Sequence, residues 1–130
     1  MTADAPALRG LRQVARVVHD LPAAVRFWRD TLGCRLLFEA PPALAFFDLG
    51  GVRLMLTLAE RPEFDHPGSI LYLDVPDIRA AHAALSARGV AFVEAPRCVA
   101  RLPHAEVWLA SFRDPEGQVL ALMSEVPAGA

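Results

Sequence analysis

Cysteine is scarce. Cys34 and Cys98 are the only two in 130 residues, far apart and with no CxxC pair. In a reducing compartment they read as small buried hydrophobes, the alternative being a reactive thiol. Excess charge is equally scarce: the formal net charge is −2, and the basic residues are scattered rather than striped. That speaks against a nucleic-acid or anionic-membrane partner. No apolar run approaches the roughly 18 residues of a membrane span. The stretch Met1-Thr2-Ala3-Asp4-Ala5-Pro6 carries an acid and lacks an apolar core, so no secretory signal is expected and a cytoplasmic location is. The sequence has no GxSxG, no P-loop, no GxGxxG, no HxH and no HExxH. Nucleophilic hydrolase, nucleotide-binding and motif-based metal readings therefore find no support.

What is present is apolar: 54% of the residues are hydrophobic, too many for a disordered chain. The length fits a single domain, residues 1–130, with a core that needs no covalent staples. Residues 1–8, rich in Ala and Pro, read as a loose leader. Leu11 to Val18 has the β-branched content of a strand. Asp20 fits a helix N-cap with Pro22 in the first turn, and Leu21, Val25, Trp28 and Leu32 fall on one helical face that Gly33 closes. Strands are expected over residues 35–39, 44–49 and 52–58, the last two joined by Gly50-Gly51. Residues 59–67 are charged, contain proline and lack periodicity, as a linker does. The pattern then restarts. Residues 69–75 predict a strand, Asp77 an N-cap, and Ile78, Ala81 and Leu85 a helix face ended by Gly89. Strands are expected over 90–94, 106–112 and 119–123, with a turn at Asp114-Pro115-Glu116-Gly117 and a frayed tail from Pro127.

The chain is thus a β-α-β-β-β unit written twice, over 10–58 and 68–125. Asp20-Leu21 maps onto Asp77-Ile78 at an offset of 57, and Gly51 onto Gly117 at an offset of 66. The difference places an insert near 97–105. Neither unit can bury a one-sided sheet alone, so the two are expected to close around a shared concavity.

The stretch Asp20-Leu21-Pro22-Ala23-Ala24-Val25-Arg26-Phe27-Trp28-Arg29-Asp30-Thr31-Leu32-Gly33 and the closing Phe112-Arg113-Asp114-Pro115-Glu116-Gly117-Gln118 resemble the vicinal-oxygen-chelate superfamily, also called the glyoxalase/bleomycin-resistance/dioxygenase superfamily. The similarity runs from about residue 10 to 125. It implies an α+β fold in which two βαβββ modules form a curved, partly open barrel, and it implies a homodimer. In metal-dependent members the ligands stand on the first and last strands of each module. Carried onto this chain, those positions are Gln13, Met55, Ile70 and Ala121. A divalent cation there wants imidazole nitrogen or carboxylate oxygen. Only Gln13 offers an oxygen, so no metal and no other cofactor is expected. Gln13 is either a hydrogen-bonding anchor on the cavity floor or a surface amide.

Alternation along the strands adds further candidates. Tyr72 and Asp74 share a face with Ile70, Arg53 and Thr57 with Met55, and Val119 and Met123 with Ala121. Tyr72 either donates its phenol to a ligand or is ordinary core. His104, Glu106 and Trp108 alternate. A histidine beside a carboxylate can serve as a general base, or merely as a surface hydrogen bond. Trp108 is core or cavity wall, and Arg101 is a solvated loop residue or an anion contact. The leading expectation is a small-molecule-binding protein of this family without the family metal, its ligand contacted by Gln13, Met55, Ile70, Tyr72, Trp108 and Ala121. The alternative is a lyase, isomerase or dioxygenase-like enzyme using His104 and Glu106 or a displaced metal. A third is an interaction protein presenting the linker around Phe64.

Overall fold

Strand β1 (Gln13–Val17) runs into Asp20, whose carboxylate accepts a hydrogen bond from the Ala23 N–H at 3.0 Å and opens helix α1 (Leu21–Arg26). The sequence predicts one regular helix as far as Gly33. Instead the turn over Phe27–Thr31 widens to π geometry, and the Leu32 N–H bonds the Phe27 carbonyl at 2.9 Å. The widened turn holds the adjacent Phe27 and Trp28 both in the core. Strands β2 (Arg35–Ala40), β3 (Leu44–Leu49) and β4 (Val52–Thr57) complete the first module. Its sheet has the order β1-β4-β3-β2, with β1 and β4 parallel and the other pairs antiparallel. The computed structural model describes residues 6–128, so part of the leader and the last two residues of the tail lie outside the described residues.

The second module repeats the plan with β5 (Leu71–Asp74), α2 (Ile78–Ala87, capped by Asp77 on the Ala80 N–H), β6 (Ala91–Phe92), β7 (Arg97–Arg101), β8 (Ala105–Arg113) and β9 (Val119–Pro127). Its sheet runs β5-β9-β8-β6, with β7 also paired to β8. The fold is α+β, with two separate mixed sheets rather than a closed barrel. The stretch expected as an insert is not a loop. Strands β6 and β7 lie end to end along β8 as one edge strand interrupted at residues 93–96, and the extra residues lengthen the β7-β8-β9 ladder. For the same reason the tail is not frayed at Pro127, which pairs with Ala105, and the Ala128 N–H bonds the His104 carbonyl at 3.0 Å.

Each sheet buries one face. Ala45, Phe47, Leu54 and Leu56 in the first sheet, and Ala110, Phe112 and Leu120 in the second, are wholly inaccessible to solvent and meet the helices in a single core. At roughly 25 cal/mol per Å² of apolar surface, each such leucine or phenylalanine contributes about 2–3 kcal/mol. Phe27 of α1 packs against Phe112 of β8 with ring centroids 6.4 Å apart, and Arg88 at the end of α2 donates to the Asp30 and Thr31 carbonyls. The helix-covered faces of the two sheets therefore look toward one another. Alternation then sends the other face of each sheet outward. None of the described helices is long and apolar enough to cross a membrane.

Candidate functional site

The open face of the first sheet carries the most organised group of polar and aromatic side chains. The β1–β4–β3 register sets Gln13 beside Arg53 and Asp48, and Ala15 beside Met55 and Phe46. Arg53 donates through Nε to the Gln13 Oε1 at 2.7 Å, while the Gln13 amide nitrogen lies 3.8 Å from the Met55 sulfur. The Arg53 guanidinium sits 5.5 Å from the centroid of Phe46, which stacks on Phe38 at 4.5 Å. Strict alternation from the buried-side Leu36 would turn Phe38 to the core. A bulge between Leu36 and Phe38 inserts Leu37 and rotates Phe38 onto the open face. Asp48, directly across from Arg53, accepts from the Gly51 N–H at 3.0 Å and holds the β3–β4 hairpin.

The linker crosses the far end of this face. Phe64, His66 and Gly68 roof a small hollow of 230 Å³ whose floor includes Ala15, Val17, Met55 and Thr57. His19, two residues past the end of β1, ties the linker down. The His19 ring contacts Glu116 through Nδ1 at 3.0 Å and Asp65 through Nε2 at 2.9 Å. Glu116 also accepts from the backbone N–H groups of His19 and Asp20, so the β8–β9 turn caps the start of α1. The hydrogen bond and charge of Asp65, followed by the charge of Glu116, push the His19 imidazole above its ordinary pKa. Beside this latch, Gln118 donates to the Val17 carbonyl at 2.9 Å and accepts from the Gly68 N–H at 3.2 Å. Arg16 is 2% exposed, donates to the Ser69 carbonyl at 2.7 Å and lies 3.9 Å from the Asp114 carboxylate. Burial draws the Arg16 guanidinium below its usual pKa and Asp114 opposes that shift.

The positions singled out in the sequence separate into groups. Gln13 and Met55 touch on the open face of the first sheet. Ala121 is central in the second sheet, flanked by Tyr72 and Ser111, with Tyr72 53% exposed and Ile70, one residue before β5, 47% exposed. The concavity between the modules of one chain is a cleft of 870 Å³ on the opposite, helix-covered side, lined by Val14, Leu32, Leu71, Leu73 and Leu85 among others. Its rim reaches around the edge strand β5 to Tyr72, whose side chain belongs to the open face with Ala121, and it does not include Gln13, Met55, Ile70 or Ala121. Trp108 is on the α2 side of its sheet, packed against the core with Arg79 5.1 Å from its ring, so it stands on the other face from Ala121. The His104–Glu106 pair does not assemble. Glu106 is held by Arg101 at 3.0 Å and by the Trp108 indole at 3.3 Å, and His104 lies in the exposed turn before β8. Arg101 is thereby an ion-pair partner of Glu106.

The Phe38–Phe46 stack is only half legible in the sequence. The alternation in Leu44-Ala45-Phe46-Phe47-Asp48 carries the signal for Phe46, which must oppose the buried Phe47. Nothing local announces the bulge that brings Phe38 to it.

The resemblance assigns the donors of a family-type metal centre to Gln13, Met55, Ile70 and Ala121. An amide, a thioether, an alkyl chain and a methyl group do not fit a divalent cation. Among the described residues no three His, Cys, Asp or Glu side chains converge in a way that could hold one elsewhere.

No curated protein matches the chain. Solved structures do. A lactoylglutathione lyase from Agrobacterium tumefaciens is 20% identical, covers 92% of this chain and 96% of its own, and superposes with a TM-score of 0.71. A glyoxalase/bleomycin resistance protein/dioxygenase from Nocardioides is 24% identical, covers 99% and 89%, and also gives 0.71. A glyoxalase-related enzyme from Fulvimarina pelagi is 20% identical over 90% and 88%, with 0.69. At these identities the likeness is one of fold. Residues 10–122 match the family model itself, and the chain therefore belongs to the glyoxalase/bleomycin resistance protein/dioxygenase superfamily.

Proposed function

We propose that this protein binds a small, flat, largely apolar organic molecule on the open face of its first sheet, without a metal ion at the family position. The observation that carries this is the aromatic and polar surface of that face: Phe38 stacked on Phe46 beside the Arg53–Gln13 hydrogen bond. Aromatic faces supply area for a planar ligand, and a few fixed polar groups orient it.

The occupant that completes the cavity is a second copy of the chain. Within one chain the two open faces look away from each other, because both modules spend their other faces on the shared core. The open faces nonetheless carry exposed Phe38 (51%), Ile70 and Tyr72, more apolar surface than a solvated sheet face needs. A twofold dimer lets the first-module face of each chain meet the second-module face of its partner, and the internal repeat makes the two halves of such a cavity alike.

The test joins light scattering on a sizing column to a thermal-shift screen of planar organic compounds, with and without EDTA. The expected result is a dimer, micromolar stabilisation by members of the panel, and no response to EDTA. Phe38→Asp should give monomer and abolish the ligand shifts. A monomeric wild type, a panel with no stabilising member, or ligand binding that EDTA removes would each overturn the proposal.

A further inference from the structure

We infer that the ligand of this site is an aromatic carboxylate, its charged group received by Arg53; this rests on the small-molecule reading above and narrows it to one chemical class. A guanidinium has five N–H donors in a planar fork. Here Gln13 takes the Nε edge at 2.7 Å and fixes the plane of the group. Among the described residues the Nη nitrogens form no ion pair or hydrogen bond, although Arg53 is half-buried. The residue that could neutralise it, Asp48, is its direct cross-strand neighbour, yet its carboxylate is turned to the Gly51 N–H. The result is an oriented cation with its bidentate edge unfilled. A planar carboxylate matches that edge with two parallel hydrogen bonds, which a point-like cation would not select for. Phe46 lies 5.5 Å from the same guanidinium, and Phe38 extends the aromatic platform by a second ring. An aromatic pair beside the unfilled edge suits a ligand that carries its carboxylate on a flat ring system. Gln13, which resembles a family metal position in place only, acts as a positioning residue for Arg53.

The experiment uses matched probe pairs, benzoate with benzamide and naphthoate with naphthamide, titrated into the protein while backbone amide shifts are followed. The expected result is that each carboxylate perturbs β1, β3 and β4 and binds about ten- to a hundredfold tighter than its amide, the range for a charge-assisted hydrogen bond in a sheltered site. In Arg53→Met the preference should vanish while the weak amide binding persists. Gln13→Leu should weaken carboxylate binding without touching amide binding, and Asp48→Asn should strengthen it. Equal affinity of carboxylate and amide in the wild type overturns the carboxylate inference and leaves the cavity reading standing. Perturbation confined to other elements, or absent for both members of both pairs, overturns the inference and the cavity reading together. A preference that survives Arg53→Met overturns the assignment of the anchor.

Discussion

Asp114→Asn tests whether the join between the two modules depends on one charge. Asp114 is 9% exposed and performs two tasks. Its Oδ1 accepts from the Glu116 and Gln118 N–H groups at 3.0 and 2.9 Å, which shapes the β8–β9 turn; its Oδ2 faces the buried Arg16 at 3.9 Å. Asparagine keeps an acceptor oxygen for the turn and removes the charge. At 3.9 Å the attraction is about 4 kcal/mol for an effective dielectric near 20. Loss of one partner of a buried pair costs about 3–5 kcal/mol, because the remaining charge stays buried. One Arg16 nitrogen, Nη2, already lacks a hydrogen-bond acceptor, so the substitution strips its only nearby counter-charge among the described residues. We expect Asp114→Asn to lose about 3 kcal/mol in urea unfolding, at an unchanged slope against denaturant. Arg16→Met should lose less, about 1–2 kcal/mol, since it removes the desolvated charge and leaves Asp114 satisfied by the two backbone donors. In the double variant Asp114→Asn should cost only a few tenths of a kcal/mol beyond Arg16→Met. If Asp114→Asn is as stable as the wild type, or if the two losses add, the pair does not join the modules and the reasoning fails.

The His19 latch gives a pH dependence of definite sign. The folded pKa is raised, chiefly by Asp65 and then by Glu116, so its stabilisation is fully present below the unfolded value near 6.5 and is lost as pH rises through the folded value. Urea midpoints should therefore fall between pH 6 and pH 9 more steeply for the wild type than for His19→Gln; parallel profiles would refute the latch. Opening of the latch should also release the already exposed 59–68 linker from its tether, so limited proteolysis there should be faster in Asp65→Asn than in the wild type at pH 6, and equal rates would count against it. His104→Ala should change stability by no more than about 0.5 kcal/mol and leave ligand affinity as it was, because its side chain sits in an exposed turn; a lost ligand shift in the sample would restore it to the site. Burial pushes the Cys34 thiol up, so Cys34 should react slowly with iodoacetamide at pH 8 and faster as pH rises further or urea opens the core; rapid labelling in native protein would contradict its placement.

Much of the local architecture was legible because its causes are local. Asp20 and Asp77 cap the helices that their spacing predicts, Gly33 and Gly89 end them with positive φ, and the hairpins fall at Gly51 and Gly117. Hydrophobic alternation placed β3 and β4 within a residue of their observed bounds. The internal repeat, and the membership it pointed to, also came from short-range pattern, since each module is a unit whose turns and caps are written in consecutive residues. The sequence likewise determined the chemistry available at Gln13, Met55, Ile70 and Ala121, because side-chain identity does not depend on where the chain goes.

Tertiary structure decided how those groups meet. Alternation pairs Met55 with Arg53 on one face but cannot say which face turns to the core; that depends on the helix packed against it and on Phe27 reaching across to Phe112. The bulge at Leu37 reversed Phe38, an effect of pairing with a partner strand rather than of Phe38 itself. The insert became a strand because its N–H and C=O groups found β8, and Glu106 went to Arg101 and Trp108 instead of His104 once the β7–β8 ladder brought them closer. The latch of His19 with Glu116 joins residues 97 positions apart, a separation at which sequence carries no geometric signal. Local propensity fixed the pieces, and the burial of two one-sided sheets against a common core fixed which sides of those pieces remain open.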